Sequence, residues 1–261
     1  MKNIYLNSGS INDVFDDIIS SSEGVLNSSD NEFNLALDTA LLKGNVNLIT
    51  FGTTITSIQV SMTFFDDTVV SVESFNNSSI LFTYCNDGTF NYSFGISGQQ
   101  IPVRNHYSAI ITNNKSVNTI LHFKKNSAAQ FTIIRAETAT LKQSADDSLL
   151  LNLKKTFLDK KSNYKNYDRQ CAKIEEMITQ LTSKTNDGNK AHALKKEIIE
   201  SLLSIEIDKN TSPILKLTTI VKNLTANQIK QSKKTYRLLN QYAVNLFFGK
   251  VFNSKNTIFF K

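Results

Sequence analysis

The chain has 261 residues, 40% of them hydrophobic, and a formal net charge of +6. That length allows two compact domains, each with a core of its own. Cys85 and Cys171 lie far apart in segments of different character, which excludes a disulfide framework or a CxxC metal knuckle, and no stretch approaches the ~20 apolar residues of a membrane span, so a soluble cytoplasmic protein without a membrane partner is expected.

In chain order, the residues before about 45 are polar, with a helix predicted at Ser10–Ser20. From Leu48 to Leu141 the signal turns strand-like, in the runs NLITF, SIQVSMTFF, TVVSVESF, SILFTYC, TFNYSF, SAIIT, NTILHF and QFTIIRAET. Between them NDG at 86–88, GISGQQIP at 95–102 and TNNKS at 112–116 supply turn residues. Eight short strands at such spacing predict a sandwich or barrel. The aromatics Phe64, Phe65, Phe75, Phe82, Tyr84, Phe90, Tyr92 and Phe94 recur along them, so some must line its interior.

Past Ser144 the apolar period changes from 2 to about 3.6. Tyr164–Lys184 places Tyr167, Cys171, Ile174, Ile178 and Leu181 on one helical face, and Ala191–Ile207 does the same with Ala191, Leu194, Ile198, Leu202 and Ile205. Two antiparallel amphipathic helices are predicted, packing on each other and on the β domain, with a dimer seam as the functional alternative. Ser212 before Pro213 then opens a short amphipathic helix over Ile214–Asn223.

Charge is unevenly placed. Residues 1–140 hold 7 Lys/Arg against 12 Asp/Glu, residues 141–261 hold 22 against 11, and residues 209–261 hold 10 with no acid at all. Apolar residues interleave with these cations, as they do not in a disordered tail. A basic, partly apolar end is the composition that releases counterions from a phosphate backbone. Within it, Ile229–Tyr236 reads as a helix, Arg237–Leu239 as a turn and Asn240–Phe252 as a second helix capped by Asn240. Val244 and Phe248 face the first helix, leaving Gln241, Tyr242 and Asn245 outward to meet a major groove. Lys233, Lys234, Arg237 and Lys250 complete the candidate DNA-binding set by pairing with phosphates.

The segment IKQSKKTYRLLNQYAVNLFFGKVFNSKNTIF resembles the first helix-turn-helix unit of AraC-family transcription regulators. Residues 60–141, with SILFTYCNDGTFNYSF, NHYSAIITNN and QFTIIRAET, resemble that family's cupin-like sensing barrel, and residues 164–207 resemble its linker helices. The resemblance implies an α+β chain: a cupin-like antiparallel β-barrel over 1–145, linker and dimerisation helices over 146–210, and a helix-turn-helix DNA-binding segment over 211–261. It implies DNA as partner, a small-molecule effector in the barrel and a homodimer. Family members carry two helix-turn-helix units, whereas this chain reaches Lys261 soon after the first; Leu246 and Gly249 also stand where polar or basic residues are usual. Dimerisation is therefore expected to be needed for tight binding, and the alternative is a truncated regulator that titrates a partner protein.

Cupin barrels that hold a metal use several converging histidines and a carboxylate. Here His106 and His122 fall in the β half with no HxH pair, and His192 falls in the helical half. Ordinary hydrogen-bonded histidines are expected, with no metal and no cofactor. There is no G-x-S-x-G, P-loop or GxGxxG either, so no enzyme activity is expected.

Overall fold

Alternating apolar and polar positions, rich in β-branched and aromatic residues, drive the first half of the chain into strands. The computed structural model describes residues 2–6, 24–29, 31–72, 79–112, 117–138, 148–158, 165–183 and 188–211. The strands are β1 (Lys2–Leu6), β2 (Gly24–Ser29), β3 (Glu32–Asp38), β4 (Leu42–Phe51), β5 (Ile55–Phe64), β6 (Thr68–Val72) and β7 (Ser79–Phe94). After them come β8 (Ile101–Arg104), β9 (Tyr107–Thr112), β10 (Thr119–Phe123), β11 (Ser127–Glu137) and, beyond the first helix, β12 (Lys165–Arg169). They follow the order β1-β6-β10-β7-β11-β5-β4-β3-β2, with β8 and β9 also on β7 and β12 on β9. The pairing is antiparallel except for β1 beside β6, so the curled half-barrel is mixed rather than purely antiparallel.

One strand belongs to both walls of this half-barrel. The first part of β7 pairs with β9 and β11, and its last part with β8 and β10. The NDG triplet read as a turn is in fact a bulge inside β7: Phe131 pairs with Cys85 but Gln130 pairs with Asp87, so Asn86 is extra. Gly88 has φ 78°, and a Cβ there would run into the Ala128 carbonyl oxygen. A single extra residue reverses the side-chain alternation. Before the bulge Phe82 and Tyr84 point outward, beneath the helices; after it Phe90 and Tyr92 point into the barrel.

The interior is lined by buried apolar residues. Phe64 and Phe123 stack at 4.1 Å, and Phe131 lies 4.8 Å from Phe90 and 5.8 Å from Phe123. Of the expected interior aromatics, Phe64, Phe90 and Tyr92 are buried there with Phe94 packed alongside, Phe65 is exposed, and Phe75 lies outside the described residues. Of the other predicted turns, Gly95 (φ 69°) opens GISGQQIP, whose Ile101 and Pro102 already belong to β8, and residues 113–116 of TNNKS lie outside the described residues; His106 (φ 62°) and Asn126 (φ 55°) supply left-handed residues before β9 and β11.

The helices are α1 (Ser148–Leu153), continued by a π-helical turn over Lys154–Leu158, then α2 (Ala172–Thr182) and α3 (Gly188–Asn210). Their apolar faces cover the outer side of the wall formed by β4, β5, β11, β7 and β9. Ile174, Ile178 and Leu181 from α2 and Ile198, Ile199, Leu202 and Leu203 from α3 join Leu150, Leu153 and Phe157 over Ile80, Phe82 and Ile134. The helix predicted from Tyr164 begins only at Ala172. Lys165–Arg169 instead extends the sheet through β9, because Tyr167 finds a stacking partner in Tyr107 at 4.9 Å. Cys171 is consequently exposed rather than part of a buried stripe. Leu194 is 49% exposed, and its neighbours on the exposed face, Glu197, Ser201 and Ser204, are polar. These helices fall in the same compact unit as the half-barrel, Met1–Asn210, and a second unit covers Thr211–Lys261. The helices predicted at Ser10–Ser20 and Ile214–Asn223, and the whole helix-turn-helix, lie outside the described residues.

Candidate functional site at the seam between sheet and helices

Outward-facing positions of the covered wall fall into rows. Two rows are mostly apolar, Ile49, Ser57, Ile134, Phe82 and Ile110 in one and Phe51, Ile55, Ala136 and Ile80 in the next. The neighbouring row is polar from edge to edge: Asn27, Asn34, Asn47, Gln59, Thr132, Tyr84, Ser108 and Asp168 are paired in register across eight strands. The apolar rows supply burial, and the polar row supplies direction.

Several of these groups bind the helices. Gln59 Nε2 donates to the Leu181 carbonyl at 3.3 Å, where α2 ends. Tyr84 donates to Glu206 Oε1 at 3.4 Å in the last turns of α3. Lys209 Nζ lies 3.8 Å from Asp168 Oδ2 and 4.0 Å from Glu206 Oε2. Glu206 is 1% exposed, and burial raises its carboxyl pKa against the opposing pull of Lys209 and the Tyr84 hydrogen bond. Burial, then the nearby Glu206 charge, pushes the Tyr84 hydroxyl well above its ordinary range. The Thr132 and Ser57 hydroxyls are buried in the same layer with no hydrogen-bond partner among the described residues.

The first half of α3 is held at separate points. Lys195 Nζ, buried, donates to both Glu32 oxygens at 2.9 and 3.2 Å, and His192 Nε2 lies 3.0 Å from the Thr50 carbonyl oxygen with its ring 4.7 Å from Phe51. Before α2, the buried Gln170 donates from Nε2 to the Cys85 and Tyr107 carbonyls at 3.1 and 2.9 Å. The connection from β12 is thereby locked to the residue before the bulge.

The three histidines occupy three different places. His106 Nδ1 is 3.2 Å from Glu175 Oε1, His122 Nε2 is 3.0 Å from Ser93 Oγ, and His192 sits on α3 as described. Burial lowers the His122 pKa. Burial, then Asp87, pushes the Cys85 thiol up to about 12, which keeps it in the unreactive protonated form. Among the described residues no three His, Cys, Asp or Glu side chains converge as a metal site would require. No described helix is long and apolar enough to cross a membrane.

The DNA-binding set, Lys233, Lys234, Arg237, Gln241, Tyr242, Asn245 and Lys250, lies outside the described residues. What sequence reading missed is the seam. The Asn-rich pattern of β2 to β4 was its visible signal, but only strand register turns scattered polar residues into a row.

No protein-family model matches the chain, and no curated protein matches it. Among solved structures it is similar to ToxT from Vibrio cholerae, with 12% identity over 67% of each chain and a TM-score of 0.37. It is also similar to a mutant of oxalate decarboxylase OxdC from Bacillus subtilis, with 8% identity over 47% of this chain and 29% of that one, at a TM-score of 0.27. A third is an RmlC-like cupin family protein with a double-stranded β-helix fold from Methanocaldococcus jannaschii, with 10% identity over 44% of this chain and 91% of that one, at a TM-score of 0.28. Likenesses this distant carry no chemistry across.

Proposed function

We propose that this chain is a cytoplasmic transcription regulator of the AraC type, in which the half-barrel unit responds to a small-molecule effector and the basic C-terminal segment binds DNA. The observation that carries the reading is charge: 10 Lys/Arg and no acid over residues 209–261, beginning where α3 ends at Asn210. Lys209 belongs both to that run and to the seam, through Glu206 and Asp168. In this reading the output is positional, with no bond chemistry. A change in the sheet alters how the end of α3 presents the segment that follows. A second copy supports tight binding by doubling the number of phosphates engaged, and it docks elsewhere than on the apolar stripes of α2 and α3, which the sheet already covers.

Binding of the full chain to promoter-length duplexes across a salt series tests this. A steep inverse dependence on salt, with preference for one sequence, is expected. The double variant Tyr242→Ala/Asn245→Ala should weaken specific binding more than non-specific binding, by about 1–3 kcal/mol for each base edge no longer read. Weak binding indifferent to sequence would sink the DNA-binding reading and leave the chain as a module that titrates a partner protein.

A further inference from the structure

We infer that a depression on the outer face of β2, β3 and β4 binds a neutral, hydroxyl-rich small molecule the size of a monosaccharide or cyclic polyol. Its role as the effector site rests on the regulator reading above; the binding itself does not. The depression has a volume of about 180 Å³ and is lined chiefly by Asn27, Ser29, Glu32, Asn34 and Asn47. At ~30 Å³ per water this is the volume of about six waters, the room that one small ring with its hydroxyls occupies.

Three features define the ligand chemistry. Asn27, Asn34 and Asn47 stand in register on adjacent strands, spaced by the ~4.8 Å of a sheet. Each amide offers an acceptor beside a donor, and a hydroxyl that both gives and receives a hydrogen bond is its complement. The Asn47 Oδ1 atom at the floor of the depression has no hydrogen-bond partner among the described residues. Glu32 is the one ionisable residue of the lining, and Lys195 occupies both its oxygens at 2.9 and 3.2 Å. A neutral ligand fits this wall better than a charged one, since nothing in it is left to pair with a second ion.

Glu32 also gives the site an output. It lies two residues from Asn34 on the same face, and its partner Lys195 is buried on α3. A ligand hydroxyl that engages Glu32 competes with Lys195 and loosens the hold of the sheet on the first half of α3. In the barrel interior the rings of Phe64, Phe90, Phe123 and Phe131 pack on one another instead.

The experiment titrates the full chain with myo-inositol, D-glucose and the charged counterpart gluconate, followed by calorimetry and by ligand-observed NMR. Saturable binding of a neutral probe is expected, weakened about tenfold or more by Asn34→Ala and separately by Asn47→Leu, as loss of a hydrogen bond of ~1.4 kcal/mol requires. Circular dichroism and the melting temperature confirm that each variant is folded, and Ser29→Ala serves as a third variant if one of them is not. No saturable binding of either neutral probe, equal binding in the folded variants, or tighter binding of gluconate would overturn the proposal. DNA binding measured on the same samples separates the two readings: polyol binding without DNA binding defeats the regulator and keeps the site, and the converse defeats the site alone.

Discussion

The two faces of the wall formed by β4, β5, β11 and β7 are built on opposite principles. Its inner face meets packed aromatics, Phe64 stacked on Phe123 and Phe90 tilted against Phe131, with buried apolar residues around them. Its outer face combines two mostly apolar rows with a polar row, and the helices above are fixed by Gln59, Tyr84 and, farther along, Lys195 paired with Glu32. Non-directional packing can hold a helix against a sheet at several registers. Buried polar pairs reject those whose partners do not align, at a cost in desolvation. The inner face is therefore read as the source of stability, and the outer face as the source of a defined position for α3.

That contrast can be broken experimentally, and the largest effect is expected inside. Phe131→Ala leaves a cavity among Phe64, Phe90 and Phe123 and should cost about 3–5 kcal/mol, read from denaturant midpoints at unchanged m-value. On the outer face, Lys195→Met should cost about 2 kcal/mol, below the ~3–5 kcal/mol of a fully buried pair because Glu32 is partly exposed. Adding Glu32→Leu should return most of that loss. If the double variant is no better than the single one, the pair is not coupled and the polar face does not work as described.

The smallest effect concerns pH. Burial raises the Glu206 pKa in the folded state above its ordinary carboxylate value, so between those two values the folded chain binds more protons than the unfolded chain. The contribution of Glu206 to stability is thus present in full below the ordinary carboxylate pKa and is lost as pH rises through the folded value. Glu206→Gln should flatten this decline in a series of melting temperatures above pH 4.5. An unchanged slope would show that Glu206 is solvated in solution.

Much of this architecture was legible from residue order. The runs from NLITF to QFTIIRAET fall in strands where the structure describes them, save for the end residues Phe65, Asn118 and Thr138, and the 3.6-residue period in Ala191–Ile207 marked α3, because one apolar face is a local property of a helix. Two of the misreadings share a cause. NDG has the composition of a turn yet sits in a bulge because β11 continues to pair on both sides of it, and Tyr167 has helical spacing yet joins a strand because β9 offers an edge. In both places a partner distant in sequence outweighed local preference.

The sequence by itself determined that a strand-rich part precedes a mostly helical one and that the last fifty residues are basic, since periodicity and charge need no partner to be read. Only the tertiary structure decided that Asn27, Asn34 and Asn47 form one line, that Tyr84 turns outward to Glu206 while Tyr92 turns inward, and that Lys195 reaches Glu32. Strand register and the parity change at one bulge fix those relations, and both are set by pairing between residues remote along the chain.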